Sequence, residues 1–296
     1  MHVELVGDAL DRAGTANRVL TGLHRQPRRT LAQFIAVLAE IGESAVGAQV
    51  TEAVEAAPTA LLLGQYLAAL GILTADEEED LHIRMLRGAA AAGHRSVVFK
   101  PHPTAPARYS LALNTAAAEA GVRLTALDGP LLAETFYEQC RPQLVVGCFS
   151  TAMFTASVYY GVPLARVGTA SVLERLTPYE NSNRMPLTLV DYLVPDLEAG
   201  ADPAVLGAAP RTLDPLVRAV GYCMQPRIHP RLRDDAARLL GDRQGHGDSD
   251  AGTARYFWRD RLTELDLPGG AVEPASRLRR TLVRDRRAAG PERHRG

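Results

Sequence analysis

Two short polar motifs follow apolar runs that are typical of buried strands, and their residue types suit the binding of an anion. The first is the Lys-Pro-His-Pro motif of residues 100–103, which contains the only lysine of the chain. The second is the Gly-Cys-Phe-Ser-Thr motif of residues 147–151. Since α/β folds bind ligands at the carboxyl ends of parallel strands, a cation and an imidazole at such an end can meet an anionic ligand.

The second motif is predicted to begin a helix at Ser150 and Thr151. A helix start has unpaired backbone N–H groups and a partial positive charge, and two hydroxyl groups add further donors for a phosphate. Gly147 allows the backbone to approach a ligand closely. The alternative is that Ser150 only caps the helix and that His102, between two prolines, only braces a rigid turn. The presence of both motifs at strand ends of one sheet favours a binding site.

Further candidates lie near other predicted strand ends. Glu134 is in the first turns of a predicted helix, where a carboxylate either accepts hydrogen bonds from ribose hydroxyls or complements the helix dipole. Gly64 ends an apolar strand and, with Gln65, could line the same cleft. Residues 179–184, Tyr-Glu-Asn-Ser-Asn-Arg, are either a loop that caps this cleft or a polar surface turn.

The residues that carry these groups alternate between strand and helix patterns from residue 58 to about 195. Repeated β-α units of this length predict a parallel sheet with helices on both faces, that is, a Rossmann-like α/β fold. An additional helix is predicted at residues 213–224. The predicted strands are residues 60–63, 96–99, 122–125, 144–147 and 163–167, and the predicted helices between them are residues 74–92, 106–120, 130–139 and 150–160.

The two ends of the chain are predicted to be organised differently from its centre. Residues 2–6 alternate like a strand and residues 30–50 show helical spacing, but one strand and one helix cannot close a core. We therefore predict that residues 1–57 are the remnant of an amino-terminal domain, that residues 58–235 form the α/β domain, and that residues 236–296 are poorly ordered. The last segment contains a glycine- and aspartate-rich linker and an arginine-rich tail.

The composition is ordinary for a soluble globular protein, with 46% hydrophobic and 23% charged residues. A formal net charge of −1 gives no reason to expect nucleic acid as a partner. Three cysteines without zinc-type spacing suggest neither a disulfide framework nor a metal site, and a cytoplasmic location is the simplest reading. We expect no signal peptide and no integral membrane segment, because no apolar run approaches about 20 residues. Peripheral membrane association stays open.

The segment from residue 61 to about 195 resembles the carboxyl-terminal, nucleotide-binding domain of bacterial sialyltransferases, in particular the alpha-2,8-polysialyltransferase family. The pieces that carry this resemblance are Leu-Leu-Gly-Gln at residues 62–65, the dipeptide His102-Pro103 and the pair Ser150-Thr151. Each motif is short, but their order and spacing make the resemblance fairly specific over about half of the chain.

This resemblance implies a GT-B glycosyltransferase, with two Rossmann-like domains and a CMP-sialic acid donor between them. By analogy with the family, His102 would contact the CMP phosphate and assist its departure, Ser150 and Thr151 would hydrogen-bond that phosphate, and Glu134 would bind the ribose. Gly64, Lys100 and Pro103 would belong to the same donor site. The reaction would be inverting and independent of metals, with no cofactor besides the donor and with a glycan as acceptor.

The family's amino-terminal domain carries an acidic motif whose carboxylate deprotonates the acceptor hydroxyl. Gly7-Asp8-Ala9 looks like a degraded form of that motif, which makes Asp8 the candidate base and Asp11 a nearby substitute. Because the segment before residue 58 is short, we expect that most of the amino-terminal domain is missing. Two alternatives therefore stay open: an inactive nucleotide-binding remnant, or another GT-B glycosyl- or glycerophosphotransferase.

Overall fold

A computed structural model of the chain describes residues 59–102, 110–127, 132–245 and 251–271. The strands are β1 (Thr59–Leu63), β2 (Ser96–Lys100), β3 (Arg123–Ala126), β4 (Leu144–Gly147) and β5 (Leu164–Arg166). The helices are α1 (Ala75–Ala91), α2 (Ser110–Glu119), α3 (Ala133–Cys140), α4 (Thr151–Tyr160), α5 (Thr169–Arg175), α6 (Arg184–Leu193), α7 (Leu213–Met224), α8 (Arg233–Gly245), α9 (Ala251–Ala254) and α10 (Arg259–Glu264), with a short 3-10 helix at Pro230–Leu232.

The five strands form one parallel sheet in the order β3-β2-β1-β4-β5. This is a Rossmann-like strand order, so the predicted α/β fold is confirmed. The chain direction across the sheet reverses between β1 and β4, and α/β folds bind ligands in the crevice at the carboxyl ends of such a strand pair. Leu63 at the end of β1 is level with Lys100 on one side and with Gly147 on the other. Both polar motifs therefore begin at the same edge of the sheet.

The central strands form because their short apolar runs are buried on both faces, as in other parallel sheets. The side chains of β1, β2 and β4 that lie fully in the core are Ala60, Leu61, Leu62, Val97, Val98, Leu144, Val145 and Val146. Helix α1 begins where the sequence indicates, because Thr74 and Glu77 form a reciprocal capping box. The predictions for β4 and α7 agree with the structure residue by residue.

The polar run at residues 179–184 is not a surface turn at its two ends. Arg184 is completely buried and Tyr179 nearly so. The Arg184 guanidinium donates to the carbonyl oxygens of Tyr179 at 2.8 Å and Leu176 at 2.6 Å. It also lies 4.6 Å from the ring of Trp258. The interpretation as a polar surface turn is wrong for Tyr179 and Arg184. Backbone carbonyls and aromatic rings replace the water that an arginine normally requires.

The described carboxyl-terminal residues pack against the same core as the sheet. Helix α8 crosses the predicted boundary after residue 235, and Tyr256 is fully buried. Asp191 on α6 accepts hydrogen bonds from the hydroxyl groups of Tyr256 at 2.7 Å and Thr169 at 2.5 Å. It also pairs with Arg255 at 2.6 Å. Residues 251–271 are therefore tied to α5 and α6, whereas the predicted segment 1–57 lies outside the described residues.

None of the helices in the described ranges combines the length and the apolar character needed to cross a membrane.

Candidate functional site

Lys100 and His102 lie where β2 reaches the edge of the sheet. The side chain of Lys100 is mostly buried, and its Nζ lies 3.4 Å from the carbonyl oxygen of Pro101. Burial lowers the pKa of Lys100, and the charge of Glu134 partly opposes this shift. Burial, and then the charge of Lys100, lower the pKa of His102. The imidazole is therefore biased toward its neutral form, and a bound anion would favour its protonation.

Gly64 at the end of β1 holds the backbone of the Lys-Pro-His-Pro motif in place. Its N–H donates to the carbonyl oxygen of Lys100 at 2.9 Å. A Cβ atom at position 64 would lie 2.9 Å from a ring carbon of Phe99 and 3.1 Å from the Cα of Pro101. Glycine is needed here because β1 and the motif after β2 approach each other more closely than a side chain allows.

Ser150 and Thr151 lie at the start of α4, on the other side of β1. Ser150 is the N-cap, and its Oγ accepts a hydrogen bond from the N–H of Ala152 at 3.3 Å. This bond uses the oxygen as an acceptor and leaves the hydroxyl hydrogen able to donate to a ligand. Both residues are partly exposed. Gly147 has a packing role, because a Cβ there would lie 2.9 Å from the Sδ of Met153.

Glu134 lies in the first turn of α3 and is completely buried. Its charge raises the pKa of Lys100 and contributes to raising that of Tyr137. The Tyr137 ring lies 5.7 Å from that of Tyr160. Glu134 therefore acts electrostatically on the lysine of the first motif from inside the domain, and its predicted contact with a ribose stays a prediction.

The structure adds three residues that the sequence did not single out. The ring of Tyr66 lies 3.9 Å from the ring of His102, at an interplanar angle of 31°. Glu78 and His82 on α1 accept hydrogen bonds from backbone N–H groups on both sides of Tyr66. The sequence does carry a pattern that could have indicated Glu78 and His82. They are spaced four residues apart, on the helix face that also buries Leu81 and Met85.

These elements bring most of the predicted site residues to one crevice. Gly64, Lys100 and His102 lie on the β1–β2 side, and Ser150 and Thr151 lie on the β4 side. Because neighbouring strands are about 4.8 Å apart, β2 and β4, which flank β1, are separated by about 10 Å. A ligand of nucleotide size spans that distance. Asp8 and Pro103 lie outside the described residues.

Within residues 59–102, 110–127, 132–245 and 251–271, no three His, Cys, Asp or Glu side chains are grouped so as to hold a metal ion.

Comparison with known families identifies the segment that contains this crevice. Residues 28–169 match the family model of alpha-2,8-polysialyltransferase. This part of the chain, just under half of its length, is similar to the alpha-2,8-polysialyltransferase family. The match includes β1 to β5 and every predicted donor-site residue. No curated protein and no solved structure gave a significant match.

The match to the polysialyltransferase family supports a sialyltransferase-type glycosyltransferase. The substrates of such an enzyme are a nucleotide-sugar donor and a glycan acceptor. The crevice at the ends of β1, β2 and β4 combines a cationic side chain, an imidazole and a helix start, which are groups that suit an anionic ligand.

Proposed function

We propose that this chain transfers sialic acid from CMP-sialic acid to a glycan acceptor, with inversion at the anomeric carbon and without a metal ion. The observation that carries the proposal is the sheet register, in which Lys100 and Gly147 lie level on the two sides of Leu63. A phosphate above β1 would then meet His102 from one side and the start of α4 from the other. The family match over the same residues supports the proposal.

In the proposed reaction, an acceptor hydroxyl attacks the anomeric carbon of sialic acid from the face opposite the nucleotide. The bond between that carbon and the phosphate oxygen breaks, and CMP leaves with the electron pair. The hydroxyl proton passes to a base, for which Asp8 is the proposed residue. Donors aimed at the departing phosphate lower the barrier because negative charge develops there in the transition state. We assign this role to His102, Ser150, Thr151 and the N–H groups of α4.

A second candidate function is nucleotide binding without sugar transfer. It is favoured by the sequence Gly7-Asp8-Ala9, in which glycine stands where the family's acidic motif has its first acid. Incubation with CMP-sialic acid and a sialylated acceptor separates the two candidates. Acceptor-dependent release of CMP supports transfer, whereas binding of CMP without any release supports the second candidate. A screen of other nucleotide-activated donors tests the broader GT-B alternative.

Calorimetry with CMP tests the site itself. His102→Ala should weaken CMP binding about tenfold or more, because a hydrogen bond to a charged group contributes about 1.5–3 kcal/mol. His94→Ala is the matched control, since His94 is partly buried but lies before β2, at the opposite edge of the sheet. Equal affinities of wild type and His102→Ala would remove His102 from the site.

A further inference from the structure

Tyr66 and His102 form a stacked pair at the edge of the crevice. Their ring centroids are 3.9 Å apart, and the ring planes are inclined by 31°. The N–H donors of an imidazole lie in the plane of its ring. An aromatic ring over one face therefore does not itself cover these donors, and it restricts the rotation of the side chain.

The segment that carries Tyr66 is fastened to α1 by two buried polar side chains. The carboxylate of Glu78 accepts hydrogen bonds from the N–H groups of Leu67 at 2.7 Å and Ala68 at 3.3 Å. The Nε2 of His82 accepts from the N–H of Gln65 at 3.4 Å. Glu78 and His82 are almost completely buried. A buried carboxylate is costly unless hydrogen bonds compensate it, so these contacts fix the backbone on both sides of Tyr66.

We infer that Tyr66 is a positioning residue for His102, and that Glu78 and His82 fix the segment that presents the Tyr66 ring. The inference rests on the proposed function, in which His102 binds the donor phosphate. The inference gives the connection between β1 and α1 a role in positioning His102. Neither the Lys-Pro-His-Pro motif nor the Gly-Cys-Phe-Ser-Thr motif indicates this role.

The charged and titratable groups around His102 give this inference a measurable consequence. In the described structure they are Lys100 on β2, which acts on His102 directly, and Glu134 on α3, which acts on Lys100. His82 on α1 packs against Phe99, the residue before Lys100. Burial is the largest cause of the lowered pKa of His102. Removal of the Tyr66 ring exposes one face of the imidazole to water, so the pKa of His102 should rise toward its ordinary value.

Titration of the His102 side chain by NMR tests the first consequence, with its signals assigned through His102→Gln. Tyr66→Ala should raise the pKa of His102, whereas Tyr66→Phe, which keeps the ring, should leave it unchanged. Leu70→Ala is the matched control, because Leu70 belongs to the same connection and its side chain is exposed. If Tyr66→Ala fails to fold, Tyr66→Leu serves in its place. An unchanged titration of His102 in the alanine or leucine variant would overturn the inference.

The second consequence is a loss of affinity for CMP. Aromatic pairs of this kind correspond to about a threefold to tenfold change in an equilibrium constant. We expect a loss of that size in Tyr66→Ala and none in Tyr66→Phe, compared at a pH where the NMR titration shows equal charge on His102. Unchanged CMP affinity in Tyr66→Ala would overturn the inference even if the titration moved. If wild type does not bind CMP, the proposed function fails, and the NMR titration alone decides the inference.

Discussion

At the scale of single residues, the environment gives two histidines of this domain different roles. His82 is almost completely buried and accepts a hydrogen bond from the backbone of Gln65. Burial lowers its pKa to about 4, so it is neutral near pH 7 and serves the fold. His102 is only partly buried and lies beside Lys100 at the sheet edge. Its charge can respond to an anionic ligand, which suits it to the proposed site.

His82→Gln should reduce the dependence of stability on pH. The unfolded chain protonates this histidine near pH 6.5 and the folded chain only near pH 4, so stability falls as the pH is lowered through this window. The expected slope from His82 is about 1.4 kcal/mol per pH unit. Glutamine keeps an acceptor for the Gln65 N–H but does not titrate. Urea unfolding at several pH values between 7 and 5 measures the slope, and equal slopes for the two proteins would contradict this account.

Gly64→Ala should destabilise the domain by about 1–3 kcal/mol, the usual cost of overpacking. The added methyl group would clash with Phe99 and Pro101, and it should also weaken CMP binding because it displaces the backbone next to His102. Gly207→Ala is the control, because no heavy atom lies within 4 Å of a Cβ placed at Gly207. Urea unfolding and calorimetry check both effects. Equal stability of the two alanine variants would show that the close approach at Gly64 is not required.

At the scale of elements, short apolar runs and capping signals were enough to predict the sheet. β4 was predicted residue by residue because it is a short continuous apolar run. Helix α1 was predicted because Thr74 can cap it and acidic residues occupy its first turn. Helices α5 and α6 were not predicted, since α5 has only 7 residues and α6 follows the polar run of residues 179–183. The contact between Tyr66 and His102 could not be predicted, because it depends on how two separate connections meet above the finished sheet.

Ser150→Ala tests whether Ser150 only caps α4 or also donates a hydrogen bond to the phosphate. Loss of the cap should cost about 1 kcal/mol of stability, and loss of a donor should also weaken CMP binding severalfold. Thr74→Ala removes the corresponding cap of α1 and should cost similar stability without a loss of CMP affinity. If both variants bind CMP as wild type does, Ser150 is a cap and nothing more.

At the scale of the whole molecule, Asp191 joins parts of the chain that are far apart in sequence. This fully buried carboxylate contacts Arg166 at the end of β5 at 3.2 Å and Arg255 near the described carboxyl end at 2.6 Å. Sequence reasoning missed this cluster because each partner, taken alone, reads as an ordinary surface charge. The cluster explains why residues 251–271 pack with the domain rather than outside it.

Asp191→Ala should therefore destabilise the domain by about 1–3 kcal/mol, because the hydroxyl groups of Thr169 and Tyr256 lose their buried acceptor. Asp214→Ala is the control, since the pair between Asp214 and Arg218 is partly exposed and should contribute less than about 1 kcal/mol. Urea unfolding measures both variants, and equal losses of stability would contradict a structural role for the buried cluster.

The central claim is that the crevice at the carboxyl ends of β1, β2 and β4 binds the phosphate of CMP. The most direct test is the ratio of the affinities for CMP and for cytidine, measured by calorimetry for wild type and for His102→Ala. We predict that wild type binds CMP at least about tenfold more tightly than cytidine, and that His102→Ala loses most of this preference while it retains its affinity for cytidine. The same preference for CMP in both proteins would contradict the account.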